Sequence, residues 1–238
     1  MKKHAFIITS ALNTKFGVFN TEQRLQQTVA TIDSILERVP DAVIFLMEMA
    51  GEPLTDEQKA VFNDRVDFLF DFTNNDKVKK IYENPSWDVV KSSTEMMCFA
   101  AALKQLKDNN LLEGIDRVFK ISGRYQLNDN FKIDYYEQVG LSNRIVIKHR
   151  QKSQFDFAVT QVAEQYMSRL WSFPAHEIDE IIKTYYEMLK FMGERVAAGG
   201  YVDIEHCLFK YLDPNKILEL DTVGVQGNLG PNARFIND

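Results

Sequence analysis

Phe119-Lys120-Ile121-Ser122-Gly123-Arg124-Tyr125-Gln126-Leu127 decides how this chain is read. With Arg117 and Val118 before it, the segment predicts a strand that runs into a small residue, a glycine, an arginine and an aromatic. Upstream, Ser86 to about Lys107 carries Val90, Met97, Ala101 and Leu103 at helical spacing, and Gly114 closes the connection. A long helix delivering a strand in this way is half of a βαβ crossover.

The other half lies nearer the start. Ala5 to Leu12 is a short apolar run that suits a buried strand, and a loop covers Asn13 to Asn20. Thr21 can cap a helix in which Leu25, Val29, Ile32, Leu36 and Val39 recur at spacings of three and four until Pro40. Ala42 to Met47 is a second apolar run, ending at Glu48 and a turn at Gly51. Strand, helix, strand in this order predicts a parallel pair.

Between these halves the pattern predicts a helix within Pro53 to Phe72, capped at Thr55-Asp56-Glu57, and a short third strand at Val78 to Tyr82. The second half is mixed. Arg144 to Lys148 and Phe155 to Thr160 read as strands, Ala175 to Ala198 as a periodic helix closed by Gly199-Gly200, and Asp203 to Tyr211 as one more helix. The tail from Thr222 holds Gly224, Gly227 and Gly230 among polar residues, which predicts a mobile or ligand-dependent segment.

The chain has 238 residues, 45% hydrophobic and 26% charged, a composition of one folded domain. Its 28 Lys and Arg against 34 Asp and Glu leave a net charge of −6, so no overall attraction to phosphate backbones or lipid headgroups is expected, and no nucleic-acid partner. Cys98 and Cys207 sit in apolar helical stretches, as reduced core thiols of a cytoplasmic, soluble protein do. Met1-Lys2-Lys3-His4 leads into a run broken by Thr9 and Ser10, with neither a cleavage site nor the length of a membrane span.

In an open parallel sheet, ligands collect beyond the carboxyl ends of the strands. Four groups fall there: Thr9, Ser10 and Asn13; Glu48; Ser122 to Tyr125; and the helix opening near Lys91. No G-x-G-x-x-G or G-x-x-x-x-G-K-[ST] motif occurs, so Rossmann oxidoreductases and P-loop kinases fit poorly.

A strand followed by Ser122-Gly123-Arg124-Tyr125 resembles the corresponding junction of glycosyltransferases of the GT-A type. That family has a Rossmann-like, mixed and mostly parallel central sheet flanked by helices, and normally carries Asp-x-Asp at this point. The resemblance implies an α/β fold spanning 1–238, with 1–130 as the nucleotide-sugar half and 131–238 as the acceptor half with its flexible tail. It also implies a nucleotide-sugar donor and a carbohydrate or other hydroxyl acceptor. Two carboxylates in Asp-x-Asp hold a hard cation on the diphosphate; serine and arginine supply no such charge. Arg124 offers instead a permanent cation with a planar pair of donors, which predicts metal-independent transfer with Arg124 as phosphate clamp. No cofactor is required on this reading, while divalent manganese or magnesium stays open, as does the oligomeric state. The bland alternative makes Arg124 one half of a structural salt bridge.

On the same resemblance, Lys91, Thr94 and Glu95 contact the donor, and Thr9, Ser10 and Asn13 line the base and ribose edge, with Ser122, Gly123 and Tyr125 beside Arg124. Lys91 and Glu95 are alternatively an exposed i,i+4 ion pair. Glu205 is the candidate base for the acceptor hydroxyl and His206 a group positioning phosphate or acceptor, or else Asp203 is a helix cap, Glu205 a first-turn dipole partner and His206 a local hydrogen-bonder. Trp171 is either an aromatic platform for an acceptor sugar or core. A second functional reading is a non-catalytic nucleotide- or carbohydrate-binding module of the same fold.

Overall fold

The computed structural model describes residues 4–238; Met1, Lys2 and Lys3, which enter the argument about a leader, lie outside the described residues. Along the chain run β1 (His4–Ser10), α1 (Thr21–Arg38), β2 (Val43–Glu48), α2 (Asp56–Phe62), β3 (Phe68–Asp71), α3 (Asp76–Tyr82), α4 (Trp87–Asp108), β4 (Arg117–Ser122) and β5 (Tyr125–Leu127). The second half continues with α5 (Ile133–Tyr136), β6 (Ile145–Lys148), β7 (Gln151–Lys152), α6 (Phe157–Thr160), β8 (Glu164–Gln165), β9 (Leu170–Pro174) and α7 (Ile178–Ala197). It ends with α8 (Ile204–Tyr211), β10 (Ile217–Leu220), β11 (Val225–Asn228) and β12 (Phe235–Asn237).

A seven-stranded sheet has the order β10-β6-β9-β4-β1-β2-β3, parallel except for β9, which runs antiparallel to both neighbours. All seven residues of β1 are buried. Ala5 and Ile7 face a core shared with Phe99 and Leu103 of α4 and Tyr185 and Met188 of α7, whereas Phe6 and Ile8 face Ile32 and Ile35 of α1. Burial on both faces is why the strand reads as a continuous apolar run rather than an alternation. Between β1 and β4 the strand order reverses direction, and the crevice beyond their carboxyl ends opens there.

Four sequence expectations change. Val78 to Tyr82 lies in helix α3, not in a strand: Asn75 caps it by accepting from the Lys77 amide at 2.9 Å, and Val78 is its one buried residue. The third strand is β3, taken from the end of the stretch expected to be helical; α2 stops at Phe62, and Phe70 pairs with Met47 at the sheet edge. Phe155 to Thr160 contains helix α6, ended by Gln161 in the left-handed region (φ 55°), instead of a strand. The inserted strand is β9, where Trp171 pairs with Lys120 and Ile147.

The tail is built into a second sheet, β12-β11-β5, in which Val225 pairs with Leu127 and Gly227 with Tyr125. The glycines that suggested a mobile segment serve close approach. A Cβ on Gly224 (φ +78°) would stand 2.2 Å from the Phe131 amide nitrogen, and one on Gly227 2.4 Å from the Arg124 carbonyl oxygen. Among the described residues no helix is long and apolar enough to cross a membrane.

Candidate active site at the carboxyl end of the sheet

Beyond β1 and β4 lies a cleft lined from the sheet by Thr9 and Ser122, from α4 by Trp87, Lys91, Thr94 and Glu95, and by Arg24, Arg124 and Pro231. Register brings the floor together: Thr9 pairs with Ser122 across β1 and β4, and the Gly123 amide donates to the Thr9 carbonyl at 2.8 Å. Gly123 is needed for space rather than for a special φ. A Cβ there would meet Thr28 Oγ1 at 3.1 Å and the Thr9 carbonyl at 3.2 Å, and Thr28 Oγ1 already donates to the Gly123 carbonyl at 3.1 Å. The strand end is thereby clamped between β1 and α1, and Arg124 leaves it at a fixed point.

Arg124 is half-buried, its guanidinium 5.3 Å from the Tyr125 ring centroid. Among the described residues no carboxylate lies within ion-pair distance of it, and its Nε is buried without a partner. The salt-bridge alternative is therefore not what the structure contains. Arg24 on α1 turns toward the same cleft but donates to the carbonyls of Phe19 (3.0 Å), Phe16 (2.8 Å) and Ala11 (3.4 Å), so it holds the β1–α1 loop. Burial, and then the Arg124 charge, lower its pKa.

Lys91 and Glu95 are not an exposed pair. Glu95 is buried and its Oε1 sits 2.5 Å from the Nζ of Lys120, which is itself fully buried in the middle of β4. Lys120 also donates to Ser122 Oγ at 3.0 Å and to the Ser168 carbonyl at 2.8 Å. Burial alone would raise the Glu95 pKa, but Lys120 and Lys91 outweigh it and hold the carboxyl below its ordinary range. Burial lowers the Lys120 pKa against the pull of Glu95. Among the described residues Lys91 has no hydrogen-bonded or ion-paired partner; the Glu205 carboxylate, acting at longer range, raises its pKa. Three further cations, Arg24, Lys91 and Arg124, thus line a cleft whose one lining carboxylate Lys120 already neutralises, and the cleft is positive in a protein of negative net charge.

Opposite the charges, Phe16 packs edge-on against Trp87 (centroids 5.4 Å) and against Tyr82 (6.1 Å), giving the mouth an apolar wall. The tail completes the enclosure: the Val18 amide donates to the Gly230 carbonyl at 3.2 Å, and Pro231 lines the cleft. One side of the cleft is aromatic and the other carries the cationic side chains.

No family model matches the chain, and no curated protein does. Among solved structures it is similar to the crystal structure of core-mannan synthase A from Aspergillus fumigatus in its Mn/GDP form, with a TM-score of 0.50 and 10% identity, over 98% of this chain and 77% of that one. The fold is GT-A-like.

Of the residues singled out in the sequence, Thr9, Lys91, Thr94, Glu95, Ser122 and Arg124 meet at this GT-A-like cleft, with Gly123 beneath it. Tyr125 is buried under Arg124. Ser10 is buried, its Oγ 3.4 Å from Thr28 Oγ1. Asn13 turns away, bonding Gln58 at 2.9 Å and the Pro53 carbonyl at 2.6 Å beside a separate surface hollow. Glu205 is half-buried beyond the cleft lining and accepts from Ser168 Oγ at 3.1 Å. His206 is fully buried between Asp203 (Nδ1 to Oδ1, 2.6 Å) and Ser153 (Nε2 to Oγ, 2.8 Å), and so ties the start of α8 to the turn after β7. Asp203 caps α8; burial would raise its pKa, but His206 holds it below the ordinary value.

Trp171 requires correction as an acceptor platform. It is 1% exposed, packed among Phe99, Phe173 and Tyr185, and has no face to offer a sugar.

Sequence reasoning missed Arg24, the Phe16–Tyr82–Trp87 wall and Lys120. For Lys120 a signal existed: a lysine in a strand apolar on both sides must find a buried anion. Glu48, noted only as a strand end, is fully buried, and its Oε1 accepts from the amides of Leu12 and Ala50, both at 3.0 Å. Burial, opposed by these bonds, pushes its pKa up to about 7.

Proposed function

We propose that the chain is a glycosyltransferase that moves a sugar from a nucleotide-sugar donor to an acceptor hydroxyl, with Arg124 and Lys91 on the diphosphate. The observation that carries this reading is Arg124 itself: a half-buried guanidinium at the switch point of the sheet, on a cleft, with no carboxylate within ion-pair distance among the described residues. A partly desolvated cation without a counterion costs free energy unless a ligand anion compensates it. The neighbour of the same fold has GDP in its described form, which agrees with a nucleoside diphosphate here.

That neighbour also has manganese, and the donor set of this chain does not suit it. A divalent cation on the diphosphate needs carboxylate oxygens, whereas the end of β4 supplies a hydroxyl, a glycine and a guanidinium, and Glu95 is held by Lys120 at 2.5 Å. No step is therefore routed through a metal. In the proposed reaction the acceptor oxygen forms a bond to the anomeric carbon while the bond from that carbon to the diphosphate oxygen breaks. Its electron pair leaves on the diphosphate, where the fixed guanidinium and ammonium stabilise the growing charge. Glu205 takes the acceptor proton, and Thr9 and Ser10 form the nucleotide edge. Residues 1–130 form the donor half and 131–238 the acceptor half.

The place of Glu205 outside the cleft lining favours a second reading, a module that binds nucleotide-sugars without transfer. Thermal unfolding with a panel of nucleotide-sugars, with and without manganese, tests binding, and release of nucleoside diphosphate tests turnover. Absence of any thermal shift overturns both readings; a shift without diphosphate release leaves the module.

A further inference from the structure

Tyr125 carries two guanidiniums, not one. Arg124 lies 5.3 Å from the ring centroid and Arg169 5.9 Å from it. Arg169 stands at the foot of β9, where its carbonyl accepts from the Ser122 amide at 3.0 Å, so it sits at the same end of the sheet as the cleft but outside its lining. It is half-buried, and no carboxylate or other hydrogen-bond partner engages its guanidinium among the described residues. Its chain neighbour Ser168 donates to Glu205 at 3.1 Å.

Two cations on one ring repel each other, and among the described residues no carboxylate lies within ion-pair distance of either. Arg124 and Lys91 already suffice for a diphosphate inside the cleft. Arg169 is the surplus: a guanidinium held by an aromatic face, with free donors, on the side where Ser168 holds the proposed base. A planar fork of that kind matches a carboxylate or a phosphate bidentately. Building on the glycosyltransferase reading, we infer that the acceptor carries an oxyanion, and that Arg169 selects it. The arginine makes the enzyme prefer acidic sugars, uronates or sugar phosphates, over neutral ones.

Binding of glucuronic acid, glucose 6-phosphate and glucose to the full chain, followed by saturation-transfer NMR without donor, reads this directly. Both acidic sugars are expected to bind at least tenfold more tightly than glucose, and Arg169→Ala to remove that preference while leaving nucleotide-sugar protection against unfolding unchanged. Preference for glucuronic acid alone or for glucose 6-phosphate alone assigns the anion as carboxylate or phosphate. Arg169→Lys keeps the charge but not the fork and is expected to retain part of the preference; it also serves if the alanine variant fails to fold. Equal binding of all three sugars to the wild type overturns the inference. A loss of donor protection in both variants overturns it as well, because Arg169 then belongs to the donor site. Failure of every nucleotide-sugar to protect the wild type, with acidic sugars still preferred, overturns only the transferase reading.

Discussion

Lys120 Nζ lies 2.5 Å from Glu95 Oε1, with both side chains buried, one in the centre of the sheet and the other on the helix that walls the cleft. The pair fixes the floor of the site, because the same ammonium also holds Ser122 and the Ser168 carbonyl in the loop before β9. Removing one partner strands a buried charge, so Lys120→Met is expected to cost about 3–5 kcal/mol. Lys120→Met with Glu95→Leu should recover most of that loss. In the wild type the depressed Glu95 pKa gives stability that is present above the ordinary carboxylate value and is lost as pH falls through the folded value. In Lys120→Met burial should instead raise the Glu95 pKa, so that the variant gains stability from pH 7 to 5 where this group leaves the wild type unchanged, which denaturant unfolding at the two pH values would show.

Arg124→Ala separates binding from folding. No ion pair is made by the guanidinium among the described residues, Glu95 is held chiefly by Lys120 and Lys91, and the contact with Tyr125 accounts for about 0.5–1 kcal/mol, so the unliganded protein should melt within a few degrees of the wild type. Nucleotide-sugar affinity should drop roughly 10- to 100-fold, as for a charge-assisted pair worth about 1.5–3 kcal/mol. Calorimetric titration that finds unchanged affinity removes Arg124 from the site.

Glu48 has its pKa raised to about 7, so the folded state favours the protonated acid. Its contribution is complete below the unfolded carboxylate value and declines as pH rises through about 7, by about 3 kcal/mol in all. Glu48→Gln keeps an acceptor for the Leu12 and Ala50 amides and adds no charge. The variant is expected to be more stable than the wild type at pH 8 and nearly equal at pH 5; a parallel pair of stability curves contradicts this account.

Gly227→Ala puts a methyl 2.4 Å from the Arg124 carbonyl oxygen, against backbone that cannot yield cheaply. The β5–β11 pairing should open, with faster amide exchange at Val225 and Tyr125 and weaker nucleotide-sugar binding. Gly114→Ala, at φ +76° with open space around it, is the control: strain without a clash, and no effect on the cleft.

Trp171→Ala should destabilise the chain by about 3–5 kcal/mol as a core cavity, with Trp171→Phe much milder. If Trp171→Phe retains stability but loses acceptor use alone, a role beyond packing has to be found for it.

Much of the sheet was legible in the sequence because its central strands are buried on both faces and announce themselves as apolar runs: Phe6 to Ile8, Ile44 to Met47, Val118 to Ile121. Helices α1, α4 and α7 were legible from their periodicity and ends. Short elements were not. Val78 to Tyr82 is too brief for period to distinguish helix from strand, and β3 gains its identity only from pairing with β2 at the edge. Strand β9 was hidden because an antiparallel insertion between β4 and β6 leaves no mark in the run Leu170 to Pro174 beyond its apolarity.

For the site, the sequence by itself determined that polar groups would gather after β1 and β4 and that an arginine would stand among them. Tertiary structure decided which charges remain available. Glu95 is spent on Lys120, Arg24 on loop carbonyls and His206 on Asp203 and Ser153, while among the described residues Arg124, Arg169 and Lys91 have no such partner. Charge composition is local to each residue and can be counted, but neutralisation depends on distances of a few ångströms between residues far apart in the chain, and only folding sets those.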